Sequence, residues 1–322
     1  MYGPSGHEGR IREYIRDQVK SYADEIRVDA LGNLIVKKKG SLTGDRKKIM
    51  LAAHMDEIGV IVSHVNANGF LHFASIGGIY PLTLLGQRCI FENGTIGVFH
   101  REGKGAKPRE IEYEKMYIDV GATNGKLPVG VGDAAGMYRG FVDLGERMIS
   151  KTMDDRIGCA VLVETLRLLK KCPNDVYFVF TVQEEVGTRG AGTAAFAIQP
   201  DLALAIDVTA TGDTPESDPP MAVSLGQGPA IKVKDSGMLV PPAVRDLLIA
   251  AAREANTPYQ LEILTMGSTD AREMQVTREG IHAGVISIPC RYVHTTSEMV
   301  DWSDVQNSVK LLTALLNKPL KI

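Results

Sequence analysis

The chain is poor in cysteine, in tryptophan and in excess charge of either sign. Its 4 cysteines, Cys89, Cys159, Cys172 and Cys290, are scattered and form no CxxC pair. That spacing excludes a thiolate zinc ribbon and a disulfide framework, and it fits a reducing compartment. A formal net charge of -3 excludes a protein that binds nucleic acid or a membrane surface by its electrostatic field. The basic runs at 37–39 and 46–48 are too short to change this and read as solvated strand and loop ends. No uncharged apolar run of about 18 residues is present, and no charged-then-apolar leader opens the sequence. The expectation is a soluble, cytoplasmic protein.

What is present is ordinary for a globular enzyme: 44% hydrophobic and 23% charged residues over 322 positions. A soft scale of roughly 150 residues per domain suggests two domains. Apolar residues at spacing four, Ile11, Ile15 and Val19, predict a helix over 8–22. A hairpin follows, turning at Leu31-Gly32-Asn33, and then a buried strand, KKIMLAAH. Between 60 and 147 the texture changes: GVIVSHV, GFLHFAS, QRCIFE, GTIGVFH, KMYIDV and VGVGDAAGMY are short strand-like runs separated by turn residues. They predict a small β barrel or sandwich. After 148 helices and strands alternate again: helix 154–171, strands VYFVFTVQ, LALAIDVT and GVISIPC, a proline-opened helix over 241–256, and a closing helix with Ser303 as N-cap. The fold class is therefore α/β, a three-layer catalytic domain with a central, mostly parallel sheet (1–59 and 148–322) interrupted by a β-rich insert (60–147). GVGDAAG (130–136) imitates a dinucleotide loop, but its glycines are misspaced and no helix follows it.

Polar residues cluster where the apolar strands stop. AAHMDE ends in His54 and Asp56, FTVQEE in Glu184 and Glu185, LAIDVT carries Asp207, and ISIPCRYVH runs to His294. TMDDR places Asp154 and Asp155 just ahead of a helix. Taken singly, each has a structural explanation: a core histidine, a helix cap, a turn residue, a solvated edge. Together they converge, because the carboxyl ends of strands form the ligand crevice of an open α/β sheet. Isolated carboxylates near a core are costly unless paired or metal-bound. Two imidazoles and several carboxylates without thiolate fit Zn²⁺ or Co²⁺, and also accommodate Mn²⁺. So many ligands exceed a single open catalytic zinc site and suit two ions about 3.5–4 Å apart. Adjacent residues on an extended backbone point opposite ways. One glutamate of the pair 184–185 can thus bind metal while the other remains free as a base.

At these residues the chain resembles the tetrahedral metallo-aminopeptidases, the glutamyl-aminopeptidase and cellulase-M-like proteins. The match runs through GPSGHEG, AAHMDEIG, KTMDDRIG, VQEEVGTRGA, AIDVT and ISIPCRYVHTTSE in that order. The resemblance implies that His54 and Asp207 hold one metal, Glu185 and His294 the other, and Asp154 bridges them, with a cis peptide between Asp154 and Asp155. It implies Glu184 as general base and acid, acting on a hydroxide shared by the two metals, and Asp56 as the carboxylate that orients His54. It further implies short peptides as substrates, dimers as building blocks, and a hollow tetrahedral dodecamer with its active sites inside. Two departures stand out. The family usually carries a helix ahead of the first motif, and GSTDAREMQ stands where a glycine-rich stretch is usual. Arg272 in that segment reads as a surface charge, with an acidic-substrate contact as the alternative.

Other hydrolases use related ligand sets. Dizinc carboxypeptidases and N-acyl-amino-acid deacylases carry their extra domain after the glutamate pair, whereas here the insert lies between His54 and Asp154. An endoglucanase using Glu184 and Glu185 would leave both histidines without a role and needs carboxyls about 5–9.5 Å apart across a sugar. A non-catalytic shell protein would not need every candidate position filled by a competent residue.

Overall fold

A computed structural model of the chain describes residues 1–44, 46–103, 112–121, 126–215, 217 and 220–322. Helix α1 (Gly9–Val19) buries Ile11, Ile15 and Val19 on one face and leads into the hairpin β1 (Glu25–Val28) and β2 (Leu34–Lys38). Gly32 sits at φ 114 in the turn, a conformation costly for any residue with a Cβ. The side chain of Asp29 accepts three successive backbone N–H groups, from Leu31, Gly32 and Asn33, and closes that turn. Strand β3 (Lys48–His54) follows, buried along almost its whole length.

All six strand-like runs of the 60–147 stretch become strands: β4 (Gly59–Val65), β5 (Leu71–Ile76), β6 (Arg88–Phe91), β7 (Ile96–Arg101), β8 (Met116–Asp119) and β9 (Ala134–Met137). They close into a barrel in the order β4-β5-β8-β7-β6-β9. A four-residue helix, α2 (Pro81–Leu84), lies between β5 and β6. Residues 104–111 and 122–125 of this stretch lie outside the described residues. The barrel has its own apolar core, including Val60, Leu71, Phe73, Phe91, Phe99 and Ile118. The imitation dinucleotide loop leads directly into β9.

The chain then joins a large sheet through β10 (Val142–Asp143) and β11 (Arg147–Ser150). The remaining elements are α3 (Met153–Leu168), β12 (Asp175–Thr181), α4 (Arg189–Ile198), β13 (Leu202–Thr209), β14 (Ala230–Lys234), α5 (Pro242–Glu254), β15 (Gln260–Ile263), α6 (Ala271–Gln275), β16 (His282–Arg291), β17 (Glu298–Asp301) and α7 (Trp302–Leu316). The sheet order is β1-β2-β12-β3-β13-β16-β17-β11-β10, with β14 and β15 branching from β16. The central run β12-β3-β13-β16 is parallel, and antiparallel strands flank it. Both faces of these strands are buried, which explains their unbroken apolar sequences.

Two readings of local structure change. Helix α7 is capped by Asp301, whose carboxylate accepts from the N–H of Ser303; Ser303 itself lies inside the helix and donates its hydroxyl to the same oxygen. Helix α4 carries little apolar stripe legible in sequence, because its buried face is glycine and alanine except for Ile198. A Cβ on Gly190 would come within 2.3 Å of Asn33 Oδ1. The short basic runs are strand ends with partners, as in Arg46 with Asp175 and Lys47 with Asp201. All 4 cysteines are buried and unpaired. Among the described residues no helix is long and apolar enough to cross a membrane.

Candidate metal centre

The parallel register sets the site. Thr181 of β12 stands opposite His54, and Ala205 of β13 opposite Ala52, so that His54 and Asp207 emerge side by side at the carboxyl ends of neighbouring strands. Asp154 and Asp155 interrupt the start of α3 with non-helical dihedrals, and the peptide between them is cis, as the resemblance implies. The two carboxylates part company there. Asp155 accepts the backbone N–H groups of His54 and Gly158, tying the end of β3 to the first turn of α3. Asp154 turns into the crevice: its Oδ1 lies 3.0 Å from His54 Nε2 and its Oδ2 lies 3.2 Å from His294 Nε2.

Glu184 and Glu185 follow β12, but not on an extended backbone. The strand stops at Thr181, and Gln183 takes a left-handed conformation at φ 57. The divergence of the two side chains is therefore the work of a turn rather than of strand pleating. Glu184 Oε2 is 3.9 Å from His54 Nε2, whereas Glu185 Oε2 is 3.3 Å from His294 Nε2. Asp207 Oδ1 is 3.9 Å from His54 Nε2. His54, Asp154, Glu184, Glu185, Asp207 and His294 thus meet in one crevice, with His294 the most exposed at 30% of its side chain.

Asp56 is fully buried beneath them. His54 Nδ1 lies 3.2 Å from the Asp56 backbone carbonyl and 3.5 Å from its carboxylate, so the carbonyl is the nearer acceptor. An imidazole donating from Nδ1 leaves the Nε2 lone pair facing the crevice. The Asp56 carboxylate also accepts from the hydroxyl of Ser5 at 2.6 Å and from the N–H groups of Glu184 and Glu185 at 3.1 and 3.2 Å.

Further contributors are residues to which the sequence assigns no role. Glu298 accepts from the N–H of Asp154 with one oxygen and from the N–H of His294 with the other, both at 2.9 Å. Thr181 donates its hydroxyl to buried Asp270 at 2.5 Å. The loop that leaves the barrel after β5 supplies one wall, with Gly77 and Gly78 against Glu185 and the His294 ring. A Cβ on Gly77 would come within 3.1 Å of Glu185 Oε2, and one on Gly78 within 3.0 Å of His294 Nδ1, so a glycine pair is what lets this loop approach. Arg272, by contrast, is half-exposed and paired with Glu273 at 3.2 Å, in keeping with a surface charge.

The electrostatics fit a cation. Five buried or nearly buried carboxylates (Asp154, Asp155, Glu184, Glu185 and Asp207) surround two imidazoles. Burial first, and then neighbouring carboxylates, push Glu184 and Glu185 well above the usual range and Asp207 to about 7. Burial opposes ionisation of Asp154 too, but hydrogen bonds from His294 and His54 prevail and hold its carboxyl low. Partnership with Asp154 overcomes the burial of His294 and lifts it to about 9. Glu185 Oε1 is buried and has no hydrogen-bond partner among the described residues. So many carboxylates packed together are costly unless positive charge compensates them. His54 with Asp154 and Glu185, and His54 with Asp155 and Asp207, come within a span that a metal ion could bridge. Asp155 already spends its oxygens on backbone N–H groups, which leaves Asp154 the freer donor.

The comparisons with known proteins agree with this geometry. The M42 glutamyl aminopeptidase family matches residues 32–311. The lysyl aminopeptidase of Pyrococcus furiosus is 37% identical over 333 residues, covering 98% of this chain and 94% of that protein. An aminopeptidase from the archaeon Desulfurococcus kamchatkensis superimposes with a TM-score of 0.93 at 39% identity, covering 99% of this chain and 92% of that one. The Pyrococcus horikoshii TET1 peptidase, which assembles into a tetrahedron or a large octahedral shell, superimposes at 0.87 with 31% identity, covering 99% and 96%. The chain therefore belongs to the M42 glutamyl aminopeptidase family and is an aminopeptidase, a hydrolase of peptide bonds.

Proposed function

We propose that the chain releases N-terminal residues from short peptides at a centre for two divalent ions, Zn²⁺ or Co²⁺, with Mn²⁺ also compatible with the donor set. The observation that supports this best is the placement of Asp154, one oxygen 3.0 Å from His54 Nε2 and the other 3.2 Å from His294 Nε2. His54 and Asp207 would hold one ion, His294 and Glu185 the other, and Asp154 would serve both. When bound, such ions act as Lewis acids towards the substrate carbonyl and lower the pKa of water. The chain's own residues do the rest. Glu184, held well above the ordinary carboxylate range by burial and by neighbouring carboxylates, takes the proton of the attacking water and returns it to the departing amine. Asp56 keeps the His54 ring in place and, through the N–H groups of Glu184 and Glu185, sets the glutamate pair.

In this reading the barrel is a domain (60–147) inserted into the catalytic domain (1–59 and 148–322). The chain works as a homo-oligomer, a tetrahedral dodecamer built from dimers, without nucleic-acid or membrane partners. Support for the assembly comes from the shells formed by the P. horikoshii relative.

The test strips the protein with chelator, restores Zn²⁺, Co²⁺ or Mn²⁺, and offers free and N-acetylated aminoacyl anilides to wild type and Glu184→Gln. Metal-dependent cleavage of the free amines alone is expected. Glu184→Gln should lose about 10²–10⁴-fold in rate, the usual contribution of a positioned acid–base group, while still binding both ions. Cleavage confined to acetylated substrates would reassign the chain to deacylation. An active Glu184→Gln would remove that residue from the mechanism.

A further inference from the structure

The crevice has two sides built in different ways. His54 and Asp207 rise from the paired central strands β3 and β13. His294 lies in the connection between β16 and β17 at φ 62, with Tyr292 at φ 61 two residues earlier. Left-handed non-glycine residues persist only where their surroundings hold them. Asp154 likewise sits at a break in α3, not in regular helix. These two residues need an external constraint, and one side chain supplies it to both.

Glu298 is 1% exposed and opens β17, which is anchored on both flanks: Glu298 stands opposite Ser150 of β11, and Met299 opposite Arg291 of β16. Its two oxygens are divided between the N–H of Asp154 and the N–H of His294. Those residues are 144 and 4 positions away in the chain. We propose that Glu298 is a positioning residue that holds Asp154 and His294 in register, and so sets the His294–Glu185 half of the centre, where both residues it holds are donors, more strongly than the His54–Asp207 half, which it reaches through Asp154 alone. This rests on the two-ion reading above. The two carboxylate oxygens of Glu298 are spent on these N–H groups, so it acts through the backbone of two donors.

The experiment is calorimetric titration of Co²⁺ into the chelator-stripped full chain, for wild type, Glu298→Gln and Glu298→Asp. Glutamine keeps the shape but turns one acceptor into an NH₂ donor that faces a backbone N–H. Aspartate keeps the charge but is one methylene shorter and reaches one N–H only. Wild type is expected to bind two ions. Both variants are expected to bind one of the two ions about 10–100-fold more weakly, the range seen when an outer partner of a metal ligand is lost, and the other with a clearly smaller loss, because Asp154 serves both. Equal weakening of both sites would mean that Glu298 merely stabilises the fold, and unchanged binding would mean that it constrains nothing; either overturns the inference. Fewer than two ions on wild type would instead overturn the two-ion reading. Should Glu298→Gln not fold, the aspartate variant decides the matter alone.

Discussion

Asp56→Asn tests how the glutamate pair is held. The carboxylate is fully buried and receives the Ser5 hydroxyl and two backbone N–H groups. Asparagine fits the space but offers one acceptor oxygen where aspartate offers two. The least costly orientation places its NH₂ toward Ser5, whose hydroxyl rotates to accept. The oxygen then still serves the N–H of Glu184, and the N–H of Glu185 is left facing a donor. A buried N–H without a partner costs about 1–3 kcal/mol, and hydrogen bonds to a charged acceptor are worth more than those to a neutral one. We therefore expect a loss of about 2–4 kcal/mol in equilibrium urea unfolding of the metal-free protein. Co²⁺ affinity should fall about 10–100-fold through both the His54 ring and Glu185. Ser5→Ala should cost less in the Asp56→Asn background than in wild type, since there it removes a neutral hydrogen bond instead of one to a carboxylate. Wild-type stability and affinity in Asp56→Asn, or a Ser5→Ala effect that is the same in both backgrounds, would refute the reasoning.

Outside the site, Arg291 grips Asp213 through two parallel bonds of 2.9 and 2.8 Å, and this holds the Asp213 carboxyl well below its ordinary value of 3.8. A depressed folded-state pKa stabilises above the unfolded value and is lost as pH falls through the folded one. Asp213→Asn should thus cost about 1 kcal/mol at pH 7, since solvent screens this partly exposed pair, with the difference from wild type flat above roughly pH 5 and shrinking below pH 4; urea unfolding across pH reads it, and a difference that grows on acidification would be the wrong sign. Arg272→Ala should leave the ratio of glutamyl to leucyl anilide turnover unchanged, because Arg272 is half-exposed and already answered by Glu273; a selective loss of glutamyl turnover would restore an acidic-substrate contact.

The barrel and the central strands were legible in sequence because their signals are local. Turn residues punctuate each barrel strand, and fully buried parallel strands must be apolar throughout. Helix α4 was not, since a Cβ on Gly190 would collide with Asn33 and Val182 and the rest of its buried face is alanine and a single isoleucine, Ile198, which carry little periodic hydrophobic signal. The cap of α7 was misplaced by two residues because Asp301 and Ser303 are both competent caps, and only the dihedrals at Asp301 decide between them. Strands β14 and β15 branch from the main path of the sheet and are short, so neither length nor alternation marks them.

For the site, the sequence by itself determined the candidates: His54, Asp154, Glu184, Glu185, Asp207 and His294 are ionisable residues where apolar strands or a helix begin or end, and a buried charge needs a reason to be there. Only the tertiary structure decided how they are held. Glu298 and Ser5 stand within the quoted motifs, but what they bond, the N–H of Asp154 144 positions away and the Asp56 carboxylate 51 positions away, is set by the fold and not by spacing. The same holds for the division of labour between Asp154 and Asp155, adjacent and chemically identical, one facing the crevice and the other spent on the backbone of β3 and α3. Residue type sets what a group can donate; the direction in which the backbone points it is a property of the whole packed chain.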